Sequence, residues 1–322
     1  MPKSRTLEDT LAALNRLRDD PTSDAALAQL RQVLAGKSSH AAAKAAQIAG
    51  ESEIGVLAAD LVAAFERFMV NPVKTDPNCR AKAAIADALY RIGHDAETVF
   101  LRGIHHRQME PVYGGRVDTA IDLRAASALG LVRMNYPDAL VELADLLADP
   151  ESRVRAAAAQ AIAYAGSEHG VPLLRLKVLS GDDDPTVISE CLSALLRLAP
   201  ASSLPFAARL LDAADAAISE AAALALGGSR LPEAFEVLRQ WWDRIADVAL
   251  RRTALLAIAM LRRDQPLDFL LALIKEADGP TAREAIAALG MYHHDDAIRQ
   301  RVQECVEQRK DVDLRAAFAD TF

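Results

Sequence analysis

Cysteine is almost missing from this sequence: Cys79, Cys191 and Cys305 lie far apart and form no CxxC pair. That excludes a disulfide framework and a cysteine-ligated zinc site, and it predicts free, packed thiols in a reducing cytoplasm. Aromatic residues make up only 5% of the chain, thin material for a β-sheet core. No apolar run approaches the ~18 residues of a membrane span. The opening MPKSRTLEDT lacks the apolar centre of a signal peptide. A cytoplasmic location without membrane contact is therefore the expectation. Lysine is scarce, eight residues among 37 basic ones, and the formal net charge is −8. A molecule so charged has no long-range attraction for a polyphosphate, which makes nucleic acid a poor partner. No nucleophile–base–acid set, glycine-rich phosphate loop or paired-carboxylate site can be assembled from spacing. No catalytic residue, metal or cofactor is assigned, and the oligomeric state stays open.

What is abundant is alanine, about a fifth of the 322 residues. Alanine has the highest helix propensity, and its small side chain lets helices pack closely. The segment Val154–Gly166, VRAAAAQAIAYAG, has relatives along the chain, among them IDLRAASALGLVR from Ile121, ISEAAALALGGSR from Ile218 and TAREAIAALGMYH from Thr281. A small–aliphatic pair marks the centre of each copy: Ala88-Leu89, Ala128-Leu129, Ala161-Ile162, Ala194-Leu195, Ala225-Leu226, Ala257-Ile258 and Ala288-Leu289. Apart from the first interval of 40 residues, they recur every 31 to 33 residues, a period that marks a repeat array. A second apolar stripe precedes each copy, as in Leu140, Leu143, Leu146 and Leu147, then Phe235, Leu238, Trp241 and Trp242. Its i, i+3, i+6/i+7 spacing is one face of a helix. The Trp241-Trp242 pair fills slots occupied by leucine elsewhere and so reads as core. Each repeat is thus a helical hairpin, helix A then helix B, which buries its stripes only by stacking on its neighbours. The fold expected is an all-α, right-handed α-solenoid of about seven to eight hairpins in a single domain. Residues 1–50 form a degenerate leading repeat, with Thr6-Leu-Glu-Asp9 as a capping sequence. Residues 51–310 carry the regular repeats, and 311–322 a truncated closing helix.

The V-R-x-x-A-A-x-A-L-G-x-x-G pattern, matched best by Val154, Arg155, Ala158, Ala159, Ala161, Ile162 and Gly166, resembles HEAT repeats of the short, alanine-rich bacterial type, often labelled phycobilisome-lyase-like. The resemblance covers roughly residues 40–320. It implies a scaffold for a protein partner more often than an enzyme. Deoxyhypusine hydroxylases of this repeat class hold two irons with His-Glu dipeptides. The related places here are Ser189-Glu190, Ser219-Glu220 and Arg283-Glu284, so that activity is not expected. A bilin-lyase-like accessory role for a small cofactor stays an analogy.

Candidate contacts come from three places. The long first interval holds an insertion, Gly103–Asp118, GIHHRQMEPVYGGRVD, and long loops in compact arrays often carry function. It supplies His105, His106, Tyr113 and Arg116. Adjacent histidines point in different directions and have no spaced third ligand, so they are not read as a metal site. The second place is the outward face of the B helices, read as a concave surface. It offers Arg91, Arg124, Arg197, Glu190, Glu220, Arg252, Arg283 and Glu284 among apolar Leu131, Tyr164, Leu224 and Met260. Mixed charge with apolar patches suits a protein or peptide better than a phosphate backbone. A nucleic-acid-binding solenoid is the alternative. The segment 71–82 offers Lys74, Arg80 and Lys82 near a helix start, where an anion could sit.

Overall fold

The computed structural model describes residues 7–322, so the Thr6 cap lies outside the described residues. The chain divides into two compact units, Met1–Gly166 and Ser167–Phe322, each a stack of helical hairpins.

In the first unit α1 (Leu7–Arg16) precedes four A/B pairs. They are α2 (Asp24–Leu34) with α3 (Ser39–Glu51), then α4 (Ala58–Phe68), the short α5 (Pro72–Thr75) and α6 (Arg80–Ile92). Next come α7 (Glu97–Ile104) with α8 (Ile121–Arg133), and α9 (Ala139–Leu146) with α10 (Ser152–Ala165). The B helices α3, α6, α8 and α10 pack one on the next. Their alanines permit this: Ala42, Ala45, Ala86, Ala88, Ala128, Ala158 and Ala161 are fully buried. Close approach also dictates glycine at two positions. A Cβ on Gly50 would lie 2.8 Å from the Cα of Ala88, and one on Gly130 would lie 2.4 Å from the Phe100 ring.

The insertion is not a loose loop. It is a β-hairpin, β1 (Met109–Val112) paired antiparallel with β2 (Gly115–Asp118), in the register Val112↔Gly115 to Met109↔Asp118. Tyr113-Gly114 make the two-residue turn, with Gly114 at φ 86°, a positive φ at the second central position that glycine adopts without strain. The chain is an all-α solenoid into which this one strand pair is inserted: β-branched valines flanking a glycine turn favour it.

The second unit holds five pairs. They are α11 (Val171–Ser180) with α12 (Pro185–Leu198), α13 (Pro200–Leu210) with α14 (Ala216–Ser229), and α15 (Pro232–Arg244) with α16 (Val248–Met260). Then follow α17 (Asp264–Glu276) with α18 (Gly279–Leu289), and α19 (Asp296–Arg309) with α20 (Val312–Thr321). The closing helix α20 packs on α18 and α19 and buries Leu314. Trp241 and Trp242 are buried, as their leucine-like slots predict. Trp242 meets Phe269 edge-on at 5.6 Å and lies beneath the Arg251 guanidinium at 4.5 Å. A Cβ on Gly227 would lie 2.4 Å from the carbonyl oxygen of Ala257, so α14 and α16 touch backbone to backbone.

The two units start their B helices differently. In the second, an aspartate N-cap opens every B helix: Asp184, Asp215, Asp247, Asp278 and Asp311 each accept from an amide of the first turn. In the first, Ser38 caps α3, and ahead of the other three B helices an aspartate stands six residues before a basic residue: Asp76 and Lys82, Asp118 and Arg124, Asp149 and Arg155. All six of these side chains lie in residues that are buried.

Candidate functional site

The hairpin stands on a buried polar cluster. Asp76 accepts from the amides of Ala81 and Lys82 and from the Lys82 ammonium at 3.0 Å. Asp118 accepts from the amides of Gln108 and Ala120, at 3.1 and 2.9 Å, and from the Arg124 guanidinium at 2.7 Å. Arg124 also donates to the His106 carbonyl, and its Nε lies 3.1 Å from Asp149. Arg107 reaches the same Asp149 at 3.2 Å. Gln108 ties the hairpin to the segment ahead of α6: its side-chain amide donates to the Asp76 carbonyl and to Glu110 of β1, at 2.8 and 2.7 Å. Charges so deep are tolerated only when paired and fully hydrogen-bonded. Burial by itself pushes the Asp118 carboxyl upward, but the two amides and Arg124 outweigh it and hold the group below the usual aspartate range. Glu110 is likewise held down: bonds from Gln108, Thr119 and the Asn78 amide exceed the penalty of burial. His106 is also lowered, below an exposed imidazole, because burial disfavours its charged form.

Arg124 is therefore not on the outer face. It is 1% exposed, and it serves as counter-ion to two aspartates rather than as a partner contact. Leu131, also read as outward, is fully buried. Lys82 is likewise committed to Asp76 and offers nothing to an external anion. The aspartates that explain these positions stand six residues upstream, a spacing visible in the sequence at three successive repeats. A charged side chain in an apolar helix is otherwise assigned to solvent by default.

The remaining candidates fall in distinct places. Tyr113, wholly exposed, sits at the hairpin tip, and Arg116 on β2 donates back to the Met109 carbonyl. Met109, Val112 and Val117 are exposed beside them. His105 lies 2.9 Å from Glu142 of α9, and His106 lies 3.3 Å from Gln108, so the two rings point apart. Tyr164, at 43% exposure, meets Tyr90 edge-on at 6.4 Å. Arg197 is exposed on α12 in the second unit. Arg252 sits on α16 in that unit, 3.0 Å from Glu284 of α18, and lines an open groove of 500 Å³ with Leu256 and Arg283.

A larger groove of 630 Å³ crosses the B helices of the first unit. Its floor is alanine: Ala43 of α3, Ala83 and Ala84 of α6, Ala125 and Ala126 of α8, with Leu11 and Leu129 at its ends. Its rim is polar, with His40, Lys44, Arg80, Asp87 and Asp122. These are the outward positions one helical turn into each B helix. The registered repeats could have revealed them as a recurring alanine pair whose neighbours are buried. Asn78 and Thr119 close one side, and both bond to Glu110 at the hairpin root, so the groove and the hairpin share a border.

No helix among the described residues is long and apolar enough to cross a membrane. Residues 173–259 match a family model described as HEAT repeats. Among curated proteins none matches this sequence. Solved structures that resemble it include the complex of CpcE and CpcF of phycocyanin lyase from a Nostoc species, 19% identical, TM-score 0.37, covering 70% of this chain and 88% of that one. An engineered protein is 16% identical with TM-score 0.34, covering 99% of this chain and 95% of that one. Human deoxyhypusine hydroxylase in complex with glycerol is 17% identical with TM-score 0.32, covering 92% and 93%. At such identities and scores these likenesses say nothing about activity.

Proposed function

We propose that this chain, a HEAT-repeat protein, is a non-catalytic scaffold that holds a polypeptide segment along the B-helix face of its first unit. The observation that carries the reading is the 630 Å³ groove across α3, α6 and α8, with its alanine floor and polar rim. A floor of small apolar side chains admits another chain to close range, and a rim of both charge signs orients it. The acids at this rim are already engaged: Asp87 pairs with Arg91 at 2.7 Å, and Asp122 with Arg153 at 2.8 Å. Such paired carboxylates suit recognition better than acid–base chemistry. The hairpin supplies a second contact. Its root is fixed by buried ions, so Tyr113 is presented on an element that loses little freedom on binding.

The test fills the groove. Phage-displayed random 12-residue peptides selected on the full chain should be retained at least about tenfold less by Ala84→Trp, the loss expected when one well-placed contact surface is blocked. Ala84 is half-buried on an outer helix face, so thermal stability should change little. Equal retention by the variant would place binding elsewhere, and no enriched peptide would remove the scaffold reading.

A further inference from the structure

The charges around the first-unit groove are unevenly satisfied. Its acids are taken, Asp87 by Arg91 and Asp122 by Arg153. Glu110, at the border, already accepts from Asn78, Thr119 and Gln108. The bases have no such match. Arg80, exposed at the start of α6, has as its partner the ring nitrogen Nε2 of His40, 3.0 Å away on α3. That contact requires His40 to accept with a neutral ring, a weak substitute for a carboxylate. Lys44 follows His40 by one helical turn on α3 and lines the same groove, and it has no hydrogen-bond or ion-pair partner among the described residues. Arg80, Lys44 and His40, from two adjacent B helices, thus border an alanine floor, and among the described residues no carboxylate is bonded to any of them.

Resting on the scaffold reading above, we infer that this groove selects an acidic polypeptide segment: a Glu or Asp side chain takes the place beside Lys44 and Arg80, and apolar neighbours lie on Ala43, Ala83, Ala84, Ala125 and Ala126. An incoming carboxylate replaces the Arg80–His40 contact with an ion pair and gives Lys44 its counter-ion. A nucleic acid fits less well, because a phosphate backbone repeats its charge every few ångströms. Asp87 and Asp122 stand on the same rim and would meet the next phosphates, whereas a peptide can place apolar residues there. The apolar floor has no role in holding phosphates.

The experiment uses the full chain and the peptides selected on it. For each enriched peptide, an amide twin is made in which Glu becomes Gln and Asp becomes Asn, and both are titrated by fluorescence anisotropy. The expected result is enrichment of an acid between apolar residues, with the amide twin bound at least about tenfold more weakly, the scale of one charge-assisted hydrogen bond. Lys44→Gln with Arg80→Gln should abolish that difference. Lys275→Gln, on α17 of the other unit, should leave it intact, and unchanged circular dichroism confirms that each variant is folded. If peptides are enriched and blocked by Ala84→Trp but acid and amide twins bind equally, the acidic preference is wrong and the scaffold reading stands. If no peptide is enriched, both fall. Displacement of the peptides by a 20-base-pair duplex with steep salt dependence would overturn the inference in favour of a phosphate ligand.

Discussion

Replacing Arg124 by methionine is the sharpest test of how the first unit is held together. Methionine keeps much of the length and apolar volume of the arginine stem, so the main loss is the guanidinium. That group neutralises two carboxylates whose side chains are each 3% exposed, Asp118 and Asp149, and it also donates to the His106 carbonyl. Removing one partner of a buried ion cluster leaves its counter-charges stranded, at about 3–5 kcal/mol. Here the figure belongs near the lower end. Asp118 keeps two amide donors, and Asp149 keeps Arg107 and the Glu151 amide. We therefore expect a loss of about 3 kcal/mol from the first unit, read by urea titration with hydrogen exchange to separate that unit's melting from the other's. The amides of Gln108 and Ala120 should exchange faster, because their acceptor is the carboxylate that Arg124 positions. Asp118→Asn should cost less, about 1.5–3 kcal/mol, the value of a charged hydrogen bond, because an amide oxygen still accepts from Gln108 and Ala120. A loss below about 1 kcal/mol for Arg124→Met, with unchanged exchange across residues 105–124, would refute the claim that this cluster anchors the hairpin.

Three further outcomes are expected. Gly227→Ala should destabilise the second unit by about 1–3 kcal/mol in calorimetry, since its Cβ would meet the Ala257 carbonyl oxygen at 2.4 Å, and backbone cannot swing aside as a side chain can. Asp118 and Glu110 both have folded pKa values below their unfolded ones. Their contribution is therefore present above about pH 4, the unfolded carboxylate range, and lost as pH falls through the folded values. Stability of the first unit measured from pH 6 down to pH 3 should show this acid loss, reduced in Asp118→Asn. Burial pushes the Cys79 and Cys191 thiols up to about 12, so neither should react with an aromatic disulfide reagent at pH 8 until denaturant is added.

The polypeptide ligand, its acidic character and the hairpin's part in holding it are proposals that the binding experiments decide. The determinants of the repeat architecture are local. A stripe of apolar residues at helical spacing, repeated with a fixed period, can be buried only by stacking. Alanine and glycine at the facing positions then set how close the helices come. Those features stand in the linear order of the residues, so the helical hairpins, the buried Trp241-Trp242 pair and the special character of the 103–118 segment could all be read there. Arg124 could not. Whether an arginine faces water or lies in the core depends on counter-charges brought from other places, here Asp118 at the foot of β2 and Asp149 from the next repeat. Only packing brings them within 3 Å or so of one guanidinium. The groove was hidden for the same reason: His40, Lys44, Arg80 and Asp122 are scattered over more than eighty positions. They share a surface because close-packed B helices carry matching positions side by side. Sequence sets which residues can be buried, and the meeting of distant charges decides which of them are left to bind.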